Sequence, residues 1–398
     1  MYNVRKIKEN LYWVGANDRN LANFERIIPI PRGVSYNSYI LLDEKNVLFD
    51  TMDASAGDLF FENIAHVLNG KPLDYLVVHH VEPDHASNIH RVMEAYPEAV
   101  LVCTAKASQM IKQFFGNGFE SRMMAVKEGD TLLLGKHNLT FVLAPMVHWP
   151  EVMVSYETTE KILFSADAFG TFGALYGPMF ADEMNFDRDW LDDARRYYTN
   201  IVGKYGTQVQ MLLNKAAGLE ISLLCPLHGP MWRENLGYFI DKYQKWSTYT
   251  PESEGVLIVY ASMYGHTENM AEIFASKINE AGVKELAVYN LSHTDCSYMI
   301  ADAFKYSRIL LVAPTYNNGL NPLMENFLHE LAARFIQKRT FAIAENGTWM
   351  PASGKIMRSI VEEMKNCTVL EPTFTIKSAL HPEQLSDMDT FINQFIHN

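Results

Sequence analysis

Four cysteines in 398 residues, Cys103, Cys225, Cys296 and Cys367, are too few and too scattered for a disulfide framework. No Cys-x-x-Cys pair occurs, which excludes a thiolate metal ribbon and a thioredoxin-like redox pair. Long apolar runs are also missing, and none approaches the roughly 20 residues that a membrane-spanning helix requires. Met1 to Asn10 carries Arg5, Lys6 and Lys8 with no apolar stretch behind them, so a secretory signal is not expected and a cytoplasmic location is. Basic blocks are absent as well: 34 Lys and Arg stand against 47 Asp and Glu, giving a formal net charge of -13. Phosphate backbones reward clustered cations, so no nucleic-acid partner is expected, and no membrane partner either. Internal repeats and low-complexity segments are lacking. What is present is a 48% hydrophobic chain, long enough for two cores.

The hydrophobic pattern breaks at Thr248 to Gly255, where Pro, Gly and charge interrupt it before a new apolar strand begins. That predicts domains over 1–250 and 251–398. In the first, strands are expected at Ser35 to Leu42, Asn46 to Asp50, Leu73 to His79 and Ala99 to Thr104, then hairpin-like pairs from Met123 to Phe164, with helices between: a mixed α/β layer architecture. In the second, apolar strands recur at Val256 to Ala261, Glu285 to Asn290, Arg308 to Ala313, Thr340 to Ala344 and Val369 to Ile376. Helical segments between most of them spell an α/β doubly wound parallel sheet.

The expected strand Leu73 to His79 runs into His80-Val81-Glu82-Pro83-Asp84-His85, a crowd of metal-ligand side chains at one strand end. On an extended segment His80 and Glu82 face one side, and Pro83 re-aims the chain so that Asp84 and His85 point elsewhere. Such a segment suits two neighbouring metals if distant loops complete each shell. Three polar residues at the ends of apolar strands are available: His148, Asp167 and His228. His79 alternates away from His80 and is left out. His66, His90, His137 and His329 read as surface or hydrogen-bonded core residues.

This pattern of His-x-Glu-x-Asp-His with His148, Asp167 and His228 resembles the metallo-β-lactamase fold in its flavodiiron form. The resemblance spans nearly the whole chain and implies an N-terminal metallo-β-lactamase-like αββα sandwich followed by a flavodoxin-like sheet. Hydrolases of that fold usually carry His where Glu82 stands and bind zinc. By the family pattern His80, Glu82 and His148 hold one iron, Asp84, His85 and His228 hold the other, and Asp167 bridges. Four imidazoles and three carboxylates without thiolate suit iron.

In the second domain Ser262-Met263-Tyr264-Gly265-His266-Thr267 lies between a strand and a helix, where hydroxyls and backbone N–H groups form an anion cradle without Lys. The loop resembles the flavodoxin phosphate loop, with Tyr264 where a Thr is common. The switch-point rule adds two further strand ends, Pro314-Thr315-Tyr316-Asn317-Asn318-Gly319 and Asn346-Gly347-Thr348-Trp349, with Tyr316 and Trp349 expected to flank a flavin ring. One phosphate loop implies FMN rather than FAD.

A flavin beside zinc makes little redox sense, so the fusion favours two non-haem iron ions per chain, fed by FMN, reducing nitric oxide to nitrous oxide or oxygen to water. The resemblance further implies a head-to-tail homodimer, or a dimer of dimers, in which FMN of one subunit serves the irons of the other. A rubredoxin-like or other small redox carrier or reductase is the expected donor. The alternatives are a zinc-dependent hydrolase with a flavin module and a non-catalytic electron-transfer flavoprotein. Phe24-Glu25 and Tyr197-Tyr198 are considered as surroundings of the ligands without assigned roles.

Overall fold

The computed structural model describes residues 1–397. The chain divides into two compact units: Met1–Tyr198 with Thr207–Gln244 form the first, and Thr199–Gly206 joins the segment from Lys245 onward in the second.

Two mixed sheets build the first unit. The larger runs, in spatial order, Arg5–Lys6, Leu11–Trp13, Tyr39–Leu41, Val47–Phe49, Tyr75–Val77, Val100–Thr104, Met123–Val126. Its neighbours are antiparallel up to Val47–Phe49 and parallel beyond it. The smaller runs Thr131–Leu133, Asn138–Leu143, Met153–Glu157, Ile162–Phe164, Leu223–Cys225, antiparallel until its last pair. Their inner faces meet where the rings of Phe49 and Phe164 stack with centroids 3.9 Å apart. Such a pair adds about 0.5–1.5 kcal/mol beyond the area it buries. Helices cover the sheets by the usual spacing: Gly57–Leu68 buries Phe60, Ile64, Val67 and Leu68, and stops at Asn69, whose left-handed backbone (φ 46) ends the helix. This is the metallo-β-lactamase-like αββα arrangement.

In this unit three expectations need correction. Ser35 to Leu42 is two strands, Val34–Tyr36 paired with Ala16–Asp18 and Tyr39–Leu41 in the larger sheet. Polar side chains cause the break: the Asn37 amide accepts from Trp13 Nε1 and donates to the carbonyls of Pro226 and Gly229, all at 2.9 Å, and Ser38 Oγ donates to the carbonyls of Phe49 and Asp50. Met123–Val126 is no hairpin arm but the parallel edge of the larger sheet. Leu73 to His79 is strand only over Tyr75–Val77, so the ligand-rich stretch after it is loop and a short helix, Pro83–Ala86.

The second unit is a five-position parallel sheet in the order Leu286–Asn290, Ser253–Tyr260, Tyr306–Tyr316, Thr340–Asn346, and last Thr368–Val369 with Phe374–Ile376. That 2-1-3-4-5 order is the flavodoxin-like doubly wound sheet. The period of two is visible on one face, where Val256, Ile258, Leu310, Val312, Ala342 and Ala344 meet Phe274 of helix His266–Glu280 and Phe391 of helix Leu385–His397. Burying each larger apolar side chain contributes about 1.5–3 kcal/mol. The expected strand Val369 to Ile376 is split in two, because Pro372 has no N–H for the ladder. Among the described residues no helix is long and apolar enough to cross a membrane.

Candidate functional site

All seven expected ligands come together in the first unit. One group of donor atoms belongs to His80, Glu82, His148 and Asp167, a second to Asp84, His85 and His228, and within each group they lie within 4.8 Å of one another. In the first, Glu82 Oε2 is 3.1 Å from His80 Nε2 and 3.0 Å from His148 Nε2. In the second, His228 Nε2 is 3.1 Å from His85 Nε2 and 3.2 Å from Asp84 Oδ2. Asp167 faces both: its Oδ2 is 3.3 Å from His80 and 3.5 Å from His148, while its Oδ1 is 3.1 Å from His85 and 3.6 Å from His228.

Groups behind the ligands fix their orientation. Glu151 Oε1 takes the Nδ1 side of His80 at 2.8 Å and the Val81 N–H at 3.0 Å, and the Ser35 carbonyl takes Nδ1–H of His228 at 2.7 Å. Each bond keeps the proton on Nδ1 and turns the Nε2 lone pair toward the cluster. His79 is turned away, with Nδ1 2.5 Å from Asp50 and Nε2 2.7 Å from Ser155. Sequence reasoning missed Glu151, Asp50, Ser35 and Ser155. A signal existed for Glu151, an acidic residue three positions after His148, and for Asp50 at the end of an apolar strand.

Electrostatics show what the cluster demands. Burial disfavours imidazolium at His80, yet hydrogen bonds to Glu151 and Glu82 and the Asp167 charge raise it well above the usual histidine value. Burial is likewise overcome at His85 by the charges of Asp84 and Asp167, and at His148 by bonds to Asp167 and Glu82, so both are pushed up to about 9. Against the same burial, His148 and His80 hold Glu82 below the usual carboxylate range, and His85 and His148 hold Asp167 well below it. Beyond the histidines of the cluster itself, both carboxylate oxygens of Asp84 and Oδ1 of Asp167 are nevertheless buried without a hydrogen-bond partner. Buried anionic oxygens of this kind call for cations, and a nitrogen and carboxylate donor set without thiolate fits iron.

A cavity of about 680 Å³ opens onto Glu82 and Asp84, one ligand from each group, between walls that include Phe24, Glu25, Tyr36 and Asp53. Glu25 lies at the tip of the hairpin Asn23–Phe24 with Ile28–Pro29, in left-handed backbone (φ 50). Partial burial, then its hydrogen bond with Glu82, pushes its carboxyl up to about 7. The rings of Phe24 and Tyr197 each lie 5.5 Å from that of His228, which gives these two residues their place beside the second group.

In the second unit a cleft of about 260 Å³ opens at the carboxyl ends of the parallel strands. From the expected set it is lined by Met263, Tyr264, His266, Thr267, Pro314, Thr315, Asn317, Asn318, Asn346, Gly347, Thr348 and Trp349. Four expected residues stand back from it. Ser262 Oγ accepts the N–H groups of Gly265 and Glu268, at 3.2 and 3.3 Å, and so shapes the loop. Gly265 precedes the helix with φ 89, a conformation that favours glycine. Tyr316 and Gly319 pair across a tight turn whose tip, Asn317-Asn318, lines the cleft while they do not. Met350 and Ser378 join the lining although the sequence reading did not include them. Asn346 holds the Ser378 loop through two bonds of 3.0 Å and reaches Thr267 Oγ1 at 3.3 Å. A helix start at the floor and Tyr264 and Trp349, 90% and 82% exposed, suit a phosphate-bearing planar ring.

Residues 34–229 match the family model described as ODP family beta lactamase, and residues 258–364 match the flavodoxin model. An anaerobic nitric oxide reductase flavorubredoxin of Escherichia coli is 30% identical, over 95% of this chain and 78% of the relative. An uncharacterized protein of Methanocaldococcus jannaschii is also 30% identical, over 96% and 95%. Of solved structures, the rubredoxin oxygen:oxidoreductase of Desulfovibrio gigas superposes with a TM-score of 0.91 at 27% identity, covering 99% of this chain and 98% of that one. The flavodiiron protein from Giardia intestinalis gives 0.93 at 25% identity, covering 99% and 96%. Likeness in sequence and fold, running through both units in the same order, means that the chain belongs to the flavodiiron family of oxidoreductases.

Proposed function

We propose that this chain reduces nitric oxide to nitrous oxide, with oxygen reduction to water alongside, using FMN and two non-haem iron ions. In this reading His80, Glu82 and His148 would hold one iron, Asp84, His85 and His228 would hold the other, and Asp167 would serve both. Residues 1–250 carry the irons and 251–398 the flavin. The observation that carries the reading is the two-sided Asp167 carboxylate, with one oxygen on each donor group.

When bound, FMN supplies electrons and the irons take them up and bind the diatomic molecule. The rest falls to the chain. Glu151 and the Ser35 carbonyl retain protons on Nδ1 of His80 and His228, so Nε2 stays available. The deep burial of His80, His85, Asp167 and His228 keeps bulk water from the donor atoms, and the cavity beside Glu82 and Asp84 admits a small molecule. Around the flavin, the start of helix His266–Glu280 would hold the phosphate, and Asn346, Trp349 and Tyr264 would be among the residues that hold the ring. Two nitric oxide molecules need two electrons and two protons to give nitrous oxide and water, and oxygen needs four of each to give two waters.

The Escherichia coli relative is named for nitric oxide and the Desulfovibrio gigas protein for rubredoxin and oxygen, which supports both substrates and a rubredoxin-like carrier or other small reductase as donor. The reading includes a head-to-tail homodimer in the cytoplasm, and full activity of a monomer on dilution would remove the dimer from it. About two irons and one FMN per chain are expected on purification. Anaerobic mixing of the fully reduced protein with nitric oxide, followed by gas analysis, tests the reaction. Absence of nitrous oxide sinks it, and zinc alone in freshly isolated protein sinks the di-iron centre.

A further inference from the structure

The segment His79 to His85 carries ligands of both donor groups, His80 and Glu82 of one and Asp84 and His85 of the other, yet it is loop and a single short helix. A loop keeps several donors in register only when its backbone is anchored. Two adjacent residues, Asp50 and Thr51, directly after strand Val47–Phe49, anchor both of its ends. At the leading end Asp50 Oδ1 accepts the His79 N–H at 2.7 Å and the His80 N–H at 3.3 Å, and Oδ2 lies 2.5 Å from His79 Nδ1. The other ring nitrogen of His79 meets Ser155 Oγ at 2.7 Å, on a strand of the opposite sheet. At the trailing end the Thr51 N–H and hydroxyl both donate to the His85 carbonyl, at 2.9 and 2.7 Å. Asp50, Thr51, His79 and Ser155 are no more than 1% exposed, so water cannot replace any of these bonds. Asp50 has φ 55, a costly conformation for a residue with a side chain, and such outliers persist where the surroundings over-determine them.

We propose that Asp50 and Thr51 are positioning residues that set the two metal groups separately. Asp50, through His79 and Ser155, fixes the His80 side. Thr51, through the His85 carbonyl, fixes the other. The separation of the groups then derives from one peptide unit directly after a strand of the larger sheet, and not from the ions themselves. This rests on the two-metal reading above.

The test uses full-length, iron-loaded protein and does not depend on turnover. Iron loss to excess chelator is followed by Mössbauer spectroscopy, which reports the two sites separately, with His148→Asn and His228→Asn assigning the signals and flavin content monitoring the rest of the fold. Thr51→Val keeps the shape but removes the hydroxyl, and it should loosen the iron of the His85 side by about 10- to 100-fold while the other changes by less than about 2-fold. Thr51→Ser should restore the wild-type rate. Asp50→Asn and the milder Ser155→Ala should loosen the His80 side instead, and Ser155→Ala carries that arm alone if Asp50→Asn does not fold. Equal loosening of both irons, or no change in Thr51→Val, overturns the proposal. Wild-type protein holding fewer than two metals would instead show that the two-metal reading is at fault.

Discussion

Metal uptake by the metal-free protein should expel protons, and the number is set by the cluster. His85 and His148 are pushed up to about 9, so at pH 7 both imidazoles are protonated in the metal-free folded chain, and His80 is raised in the same direction by its bonds to Glu151 and Glu82. A metal needs the neutral lone pair, so each must lose its proton first. Two pH units below a value of about 9, with about 1.36 kcal/mol per unit, that costs about 2.7 kcal/mol for each of His85 and His148. Affinity should therefore climb steeply from pH 7 to about 9 and then level off. Titration calorimetry with ferrous ion under anaerobic conditions, in two buffers of different ionisation enthalpy, counts the protons. About two should appear at pH 7 from His85 and His148 alone, and that pair should release almost none at pH 10, so the count falls by about two. Uptake without proton release at pH 7 would refute the reasoning. Folding of the metal-free chain should respond with the opposite sign. A raised histidine stabilises the fold fully below its unfolded value near 6.5, and that stabilisation disappears as pH rises through about 9. Glu82, Asp167 and Glu151 are held low, so their contribution is present above about 4.5 and is lost on acidification. Thermal unfolding of the metal-free form should thus peak between about pH 4.5 and 6.5, and bound metal should move that optimum upward.

Three further outcomes follow from particular contacts. Asp167→Asn neutralises the carboxylate that faces both donor groups, so elemental analysis should find iron falling from about two per chain to one or fewer; retention of both would exclude the bridge. Asn346→Ala removes the bonds to the Ser378 loop and to Thr267, and flavin fluorescence on dilution should show FMN binding weakened about 10-fold, the equivalent of roughly 1.4 kcal/mol, with iron unchanged. Arg339 is buried, and burial pulls its guanidinium down to about 9, while it donates to the carbonyls of Tyr249, Ala303, Phe304, Gln337 and Lys338. Arg339→Met leaves those acceptors unpaired and should cost about 3 kcal/mol or more in urea unfolding followed at the flavin; a change below about 1 kcal/mol would mean that the bonds contribute little.

Much of the site could be read from the chain because its signals are local. His80 to His85 are contiguous, and His148, Asp167 and His228 each end an apolar run, so crowding and strand ends sufficed to nominate them. The unbroken apolar run Val256 to Tyr260 likewise marks a strand buried on both faces, without reference to any partner. Where a local rule met a long-range bond, the bond won. Ser35 to Leu42 has the apolar content of one strand, but Asn37 is claimed by carbonyls of Pro226 and Gly229, about 190 positions on.

By itself, then, the sequence determined which side chains make up the donor cluster, the order of the two folds, and the strands whose apolar runs are self-evident. Only the tertiary structure decided how those side chains are aimed. Glu151 reaches His80 across 71 positions and Ser35 reaches His228 across 193, bonds that form only once the whole first unit has packed. Composition and periodicity report what a residue can bury or donate. Which partner it meets depends on closing the loops between them, and that is settled by the packing of the whole unit.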